Sequence, residues 1–295
     1  MSTRPEAASG VRAPAPAVTP LARAWSRLKI PLLYLGLGLF AAFYLIPVYV
    51  MVVTSFKLPD QVSLERMWEL PRAFSLVSYS QALVKLYPHL LNTIWLVVPG
   101  TVISSFVGSI NGYVLAKWRF RGADYLFTFL LFGMFVPYQS VLIPLIRFLQ
   151  LVGLYNSITG LVLVHVVYGI PITTLIFRNF YASIPDSIVE AARIDGAGVL
   201  GIYRRICLPL SAPGFVVVGI WQFTSIWNEF LFAVSTTHST KQPIMVALQN
   251  LSGSQIVQWN VQMAAALIAA VPTLLVYIFL GRWYVRGLMA GALKG

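Results

Sequence analysis

The chain has 295 residues, 58% of them hydrophobic and only 10% charged, with a formal net charge of +12. A soluble domain carries roughly a quarter charged residues, so this chain could not cover a water-facing surface and belongs in a bilayer. The basic residues form short clusters between apolar runs rather than a stripe with interleaved aromatics, which argues against nucleic acid as a partner. A lone cysteine, Cys207, excludes an intrachain disulfide framework.

The opening stretch MSTRPEAASGVRAPAPAVTP is rich in Ala, Pro and Ser and leads an N-terminal tail, residues 1–29, that is expected to be disordered. A membrane-crossing helix needs about 20 apolar residues. Six segments supply them, at 31–53, 90–116, 124–149, 156–180, 211–235 and 262–284. The expected fold is therefore all-α, a polytopic membrane protein with six transmembrane helices. Prolines inside the spans, such as Pro99, Pro137, Pro144 and Pro171, are tolerated where neighbouring helices satisfy the freed backbone groups. The first span lacks a small-residue cleavage site after it and reads as a retained helix. The organisation that follows is a first helix with an external loop (30–86), a core of five helices (87–284) and a C-terminal tail (285–295).

Orientation follows from the positive residues. The connections holding Arg4, Arg12, Arg23, Arg27, Lys29, Lys117, Arg119, Arg121, Arg178, Arg193, Arg204, Arg205, Arg282, Arg286 and Lys294 carry fifteen of the 21 basic residues. The positive-inside rule then expects both termini, and the connector between the fourth and fifth spans, in the cytoplasm.

That connector, 181–210, is long for a structureless loop and carries helix signals. In SIPDS, Ser183 is a candidate N-cap, Pro185 falls in the first turn, and Asp186 follows three residues after Ser183. Ile188, Ala191, Ala192 and Asp195 recur at helical spacing. Gly196 and Gly198 permit a sharp turn, VLGIYRRIC can form a second short helix, and Pro209 limits its continuation. Two readings stand side by side. The helices either rest on the bilayer surface, held by Arg204 and Arg205, or present a small-residue face to a partner. Ala191 and Ala192 would bury little area against lipid, and Glu190 and Asp195 gain nothing from an anionic membrane.

The same residues resemble a known signature. Glu190, Ala191, Ala192, Gly196, Ile206, Leu208 and Pro209 match, without a gap, the loop pattern of permease subunits in binding-protein-dependent ABC importers. IPDSIVEAARIDGA and the ending RGLMAGALKG are similar to the carbohydrate, maltose-transporter-type branch, and QPIMVALQNLSG is similar to permeases of glucose- or mannose-type systems. The resemblance implies a type I importer permease fold in the cell membrane, forming half of a translocation path for a carbohydrate. It implies four partner chains besides the substrate: a second homologous permease, two ATP-binding subunits and an extracytoplasmic sugar-binding protein. Glu190, Ala191, Ala192, Asp195, Gly196, Ile206, Leu208 and Pro209 would then couple the chain to the ATPase. Gly287, Gly291 and Gly295 would give the tail a second ATPase contact. No cofactor is expected on this chain itself, because it lacks a G-x-x-x-x-G-K-[ST] loop; ATP and Mg belong to the partner. The outer loop, with Asp60, Glu65, Arg66, Glu69 and Arg72, either faces the binding protein or packs on its own spans.

Ionisable groups inside spans are functional candidates, and Glu229 in WQFTSIWNEFLFA leads them. With Trp227 and Asn228 it offers aromatic faces and acceptors suited to a sugar. The alternative is structural: Trp at an interface, Asn and Glu bonded to neighbouring helices. Asn111, Gln139 and His165 are expected as interhelical hydrogen-bond partners. An ion-coupled secondary carrier would instead require internal repeats and paired charges at mid-membrane, and a membrane enzyme two catalytic groups at one depth. Neither pattern is legible, so the chain is expected not to be an enzyme.

Overall fold

The computed structural model describes residues 20–118, 120–253 and 257–292. Two compact units divide the chain, residues 1–50 and 51–295. The first contributes most of α1 (Pro20–Ser55), whose segment Leu28–Ser55 is long and apolar enough to cross a bilayer. Its large side chains from Leu28 to Tyr49 are exposed, as a lipid-facing helix requires. The helix begins at Pro20 rather than after the expected tail boundary at 29, because LARAWSRLK is built from good helix formers. Residues 1–19 lie outside the described residues.

The second unit is organised around α2 (Val77–Lys117) and α5 (Ile158–Ala182). At 41 residues, α2 is about 60 Å long at 1.5 Å per residue, roughly twice the thickness of a hydrocarbon core. It starts at Val77, so the expected domain boundary at 86/87 falls inside this helix. The two helices run parallel along a small-residue seam: Gly100, Ser104, Gly108 and Gly112, four residues apart on α2, lie against α5 from His165 to Arg178. A Cβ at Gly112 would stand 2.7 Å from both Arg178 N and Phe177 Cβ, and one at Gly108 would overlap Thr173. Thr173 Oγ1 donates across the seam to Ser104 O at 3.2 Å. Close backbone approach through small residues is how helices associate where lipid removes the hydrophobic drive.

The third crossing is broken. α3 (Ala123–Phe132), with a short 3-10 turn, meets α4 (Tyr138–Leu151) at a bend of 98°. Pro137 explains the break: the residue before a proline is pushed out of the helical region, and Val136 sits at φ −72°, ψ 117°. α3 starts beside α5's last turns, where Arg178 reaches Asp124 at 3.4 Å. α4 ends in a turn, Leu154 N and Tyr155 N both donating to Leu149 O, that leads into the start of α5, where Gly160 lies against Leu154. The bent pair thus makes one passage between the ends of the bundle.

After α5 come α6 (Asp186–Ile194), α7 (Val199–Ile202), a π-helical turn (Tyr203–Cys207) and α8 (Leu208–Leu210). The fifth crossing then starts at α9 (Ala212–Trp227), antiparallel to α2, and continues after a break as α10 (Leu231–Thr236). The expected uninterrupted span 211–235 is therefore two helices. α11 (Ile244–Ser252), which no sequence signal announced, buries Ile244, Val246 and Ala247. α12 (Trp259–Ala292) runs parallel to α2 and passes through Gly287 and Gly291 as continuous helix. Among the described residues four helices pass as crossing segments by length and composition, and up to six if the bent pairs Ala123–Phe135 with Tyr138–Leu151 and Val199–Leu210 with Ala212–Trp227 each count as one span.

The bundle has two distinct ends. One, the loop end, holds Lys117 and 183–210. At the other, His89 Nδ1 lies 2.7 Å from Gln242 O and Thr93 Oγ1 accepts from Ile244 N at 2.8 Å. The same far end joins α2 and α12: Asn260 Nδ2 donates to Ser78 Oγ at 3.0 Å. Lys57, just past α1, is buried and donates to Arg66 O at 2.5 Å. Burial pushes its ammonium below the usual lysine value, with nearby Glu69 pulling it back up.

Candidate functional site

The loop folds outward from the end of α5. Ser183 does not cap α6; its backbone is helical and it closes α5, its Oγ donating to Phe180 O at 2.7 Å. α6 instead follows Pro185 and opens on Asp186, whose carboxylate meets Lys117 Nζ at 2.6 Å. Lys117 also donates to Ile184 O at 2.6 Å, so the buried last turn of α2 clamps the start of α6. Arg193 closes the other end: it donates to Lys117 O at 3.2 Å and lies over the Trp118 ring, 4.2 Å from its centroid.

Gly196 terminates α6 in a Schellman motif. Ala197 N donates to Ala192 O at 2.9 Å and Gly196 N to Arg193 O at 3.0 Å, with Gly196 at φ +80°. That left-handed conformation is one glycine adopts without the Cβ penalty, which is the physical reason for a glycine four residues after Ala192.

The signature residues divide by face. Ala192 is buried with Val189, and Ile206 and Leu208 pack against the same cluster, which includes Tyr113, Phe177, Tyr181, Ile202 and Tyr203. Glu190, Ala191, Asp195, Gly196 and Pro209 are exposed. Ala191 and Ala192, adjacent in sequence, thus serve opposite faces. Apolar residues crown the outer surface, with Ile194 86% and Leu200 64% exposed.

A buried hydroxyl chain ties this loop to the spans. Ser109 Oγ lies 2.6 Å from Tyr181 OH and 3.0 Å from Tyr203 OH. Tyr181 OH donates to Ser211 Oγ at 3.0 Å, and Tyr113 OH to Val199 O at 2.8 Å. The chain joins α2, α5, the π turn and the foot of α9. π turns recur at functional sites, and here one precedes Pro209, which has no N–H to continue an ordinary ladder.

The second feature is the break at Asn228–Phe230. Asn228 closes α9, its backbone N and Nδ2 both donating to Thr224 O. Glu229 opens α10: Oε1 accepts from Phe232 N at 2.6 Å and Oε2 from Ala233 N at 3.2 Å. The two polar residues replace the backbone bonds the broken helix loses, which apolar surroundings demand. Glu229→Ala leaves those donors unpaired. It should cost about 1–2 kcal/mol, read as a lower Tm of the purified protein.

Asn228 and Glu229 line a cavity of about 830 Å³ walled by residues of α4, α5, α9 and α10, including Tyr138, Gln139, His165, Tyr168 and Trp221. Trp227 is not in its wall. It is buried, stacks on Phe223, and donates from Nε1 to Ala269 O at 3.0 Å. Trp221, one helical turn and a half earlier, is the indole that faces the cavity. Tyr138, Tyr168 and Trp221 come from three separate elements, so no local motif could have gathered them. Gly287 and Gly291 lie on α12, and Gly295 lies outside the described residues. Among the described residues no group of His, Cys, Asp or Glu is placed to hold a metal ion.

An α-helical bundle with apolar crossings, some of them broken, and a clamped loop at one end defines a polytopic membrane protein. Residues 100–289 match the family model described as binding-protein-dependent transport system inner membrane component. The chain is 47% identical over 268 residues to a probable ABC transporter permease protein of Pyrococcus horikoshii, covering 90% of this chain and 97% of that one. It is 35% identical to the xylose/arabinose import permease of Haloferax volcanii, over 86% of this chain and 90% of that one. It is 32% identical to the glucose import system permease of Saccharolobus solfataricus, covering 89% and 94%. Its fold is similar to a chain in the crystal structure of a bacterial ABC transporter that imports the acidic polysaccharide alginate. There the TM-score is 0.76 at 23% identity, over 92% of this chain and all of that one. The chain belongs to the family of binding-protein-dependent transport system inner membrane components, and is a transport subunit rather than an enzyme.

Proposed function

We propose that this chain forms half of the translocation path of an ATP-driven importer for a carbohydrate. Its direct partners are a second homologous permease, a pair of ATP-binding subunits at the loop end and a sugar-binding protein at the far end. The observation that carries the reading is the loop itself. Its signature residues build a separately capped helix, clamped to α2, with Glu190, Ala191 and Ile194 presented outward. An outward apolar and acidic helix of this kind is a handle for another protein, and ATP hydrolysis has to come from that protein.

Relatives named for xylose/arabinose and for glucose import favour a sugar as cargo. The charge distribution favours a cytoplasmic loop end and cytoplasmic termini. Asn228 and Glu229 lie on the path, at the cavity. Gly287, Gly291 and Gly295 offer the tail as a second contact with the ATPase.

Purification from its native membrane should bring down an ATPase, and proteoliposomes holding the full complex should take up sugar only with ATP inside the ATPase compartment. Sugar uptake by the chain alone, without ATP, would overturn the reading.

A further inference from the structure

We infer that the cavity between α4, α5 and α9 is a contact site for a neutral sugar within this subunit, where His165 and Glu229 hold one ligand hydroxyl between them. This rests on the importer reading above and assigns chemistry to its path.

The starting observation is an orphan. His165 is 5% exposed and belongs to the cavity wall, yet its buried Nε2 makes no hydrogen bond. The nearest charged oxygen, Glu229 Oε2, lies 3.6 Å away, beyond hydrogen-bond reach. A buried polar nitrogen without a partner requires an explanation. The ring is held in place, its edge toward Phe232 and its backbone carbonyl accepting from Gln222 Nε2 at 3.2 Å.

A hydroxyl answers both groups at once. It donates to Glu229 Oε2, whose one bond, to Ala233 N, is long at 3.2 Å, and accepts from Nε2–H of His165. A simple cation would meet the carboxylate but not the N–H, and an anion would meet the N–H but be repelled by the carboxylate.

The remaining wall narrows the class. It carries no lysine or arginine, so an acidic sugar would face Glu229 without a counter-charge. Gln139 and Asn228 supply amides, and Tyr138 and Trp221, 50% and 47% exposed, supply aromatic faces for the apolar side of a sugar ring. At about 830 Å³ the space is within the range that binds small ligands, roughly 300–1,000 Å³.

The test uses the assembled complex in proteoliposomes with D-glucose, D-xylose and maltose as probes, followed by single-deoxy forms of whichever is taken up. His165→Phe keeps the ring bulk and removes the nitrogens; recovery of the complex in wild-type amount shows that it folds. Uptake should fall about tenfold, the order expected for one hydrogen bond. It should fall no further for the one deoxy sugar lacking the bridging hydroxyl, while His165→Gln, which keeps an N–H, retains most of the rate. Wild-type uptake by His165→Phe overturns the inference and leaves the importer reading standing, as does an equal loss for every deoxy form. Failure of the wild-type complex to move any of the three sugars removes the sugar reading and this site with it.

Discussion

Gly196→Val is expected to lower ATP-coupled sugar uptake at least tenfold while the chain still inserts into the membrane. A left-handed backbone costs an ordinary L-residue about 1–2 kcal/mol, and a β-branched one fits there worst of all. With φ at +80°, valine must break the turn, releasing the bonds that Ala192 O and Arg193 O accept. The end of α6 then loses its fixed direction, and with it the posture of Glu190 and Ile194. Uptake and ATP hydrolysis measured together in proteoliposomes check this: hydrolysis should no longer be matched by transport. Gly196→Asn is the control, since asparagine tolerates this conformation and should keep most of the uptake. Equal uptake for valine and glycine would show that the turn has no part in coupling.

The second large effect is structural. Gly112→Leu should prevent recovery of a folded complex. The added Cβ alone would stand 2.7 Å from Arg178 N and 2.9 Å from Phe177 C, and backbone cannot move aside as a side chain can. Overpacking a tight core costs about 1–3 kcal/mol, and here a seam between the two central helices must open. Gly219→Ala, whose Cβ would meet open space, should be recovered in wild-type amount. Size-exclusion profiles of detergent extracts separate the two outcomes; a monodisperse Gly112→Leu complex would mean the seam is looser than its geometry.

Much of the architecture was legible in the sequence because hydropathy counts apolar residues and lipid demands them. The spans around α2, α5 and α12, and the helical character of 186–194, follow from composition and spacing. What escaped is backbone direction. A window over 124–149 or 211–235 sums apolar side chains and is blind to a 98° turn at Pro137 or to a break held by Asn228 and Glu229. The break did leave a trace, since an acid inside an uncharged run must be bonded to something, but the partners, backbone N–H groups three and four residues on, were not apparent. Ser183 was misplaced for a related reason: its hydroxyl can serve the end of one helix or the start of the next, and Pro185 sets the boundary two residues later. The cavity was illegible because its walls come from two stretches far apart in the chain, residues 133–172 and 221–232.

The length of α2 has a mechanical consequence. Its far half is bonded through Ser78 to Asn260 and through His89 and Thr93 to Gln242 and Ile244, and its near end to Asp186 and Arg193, so one rod is gripped on both sides of Pro99. Pro99 stands about 27 Å from Lys117 along the axis at 1.5 Å per residue, and removes one rung from the helix ladder there. A tilt of about 5° about that point carries Lys117 sideways by about 2 Å over such an arm. The part of α5 packed on Gly108 and Gly112 would move with that arm, whereas His165 lies beside Gly100, next to the pivot. One rod would thus divide its work at Pro99: the loop-bearing arm would swing while the cavity beside Gly100 stays near the pivot.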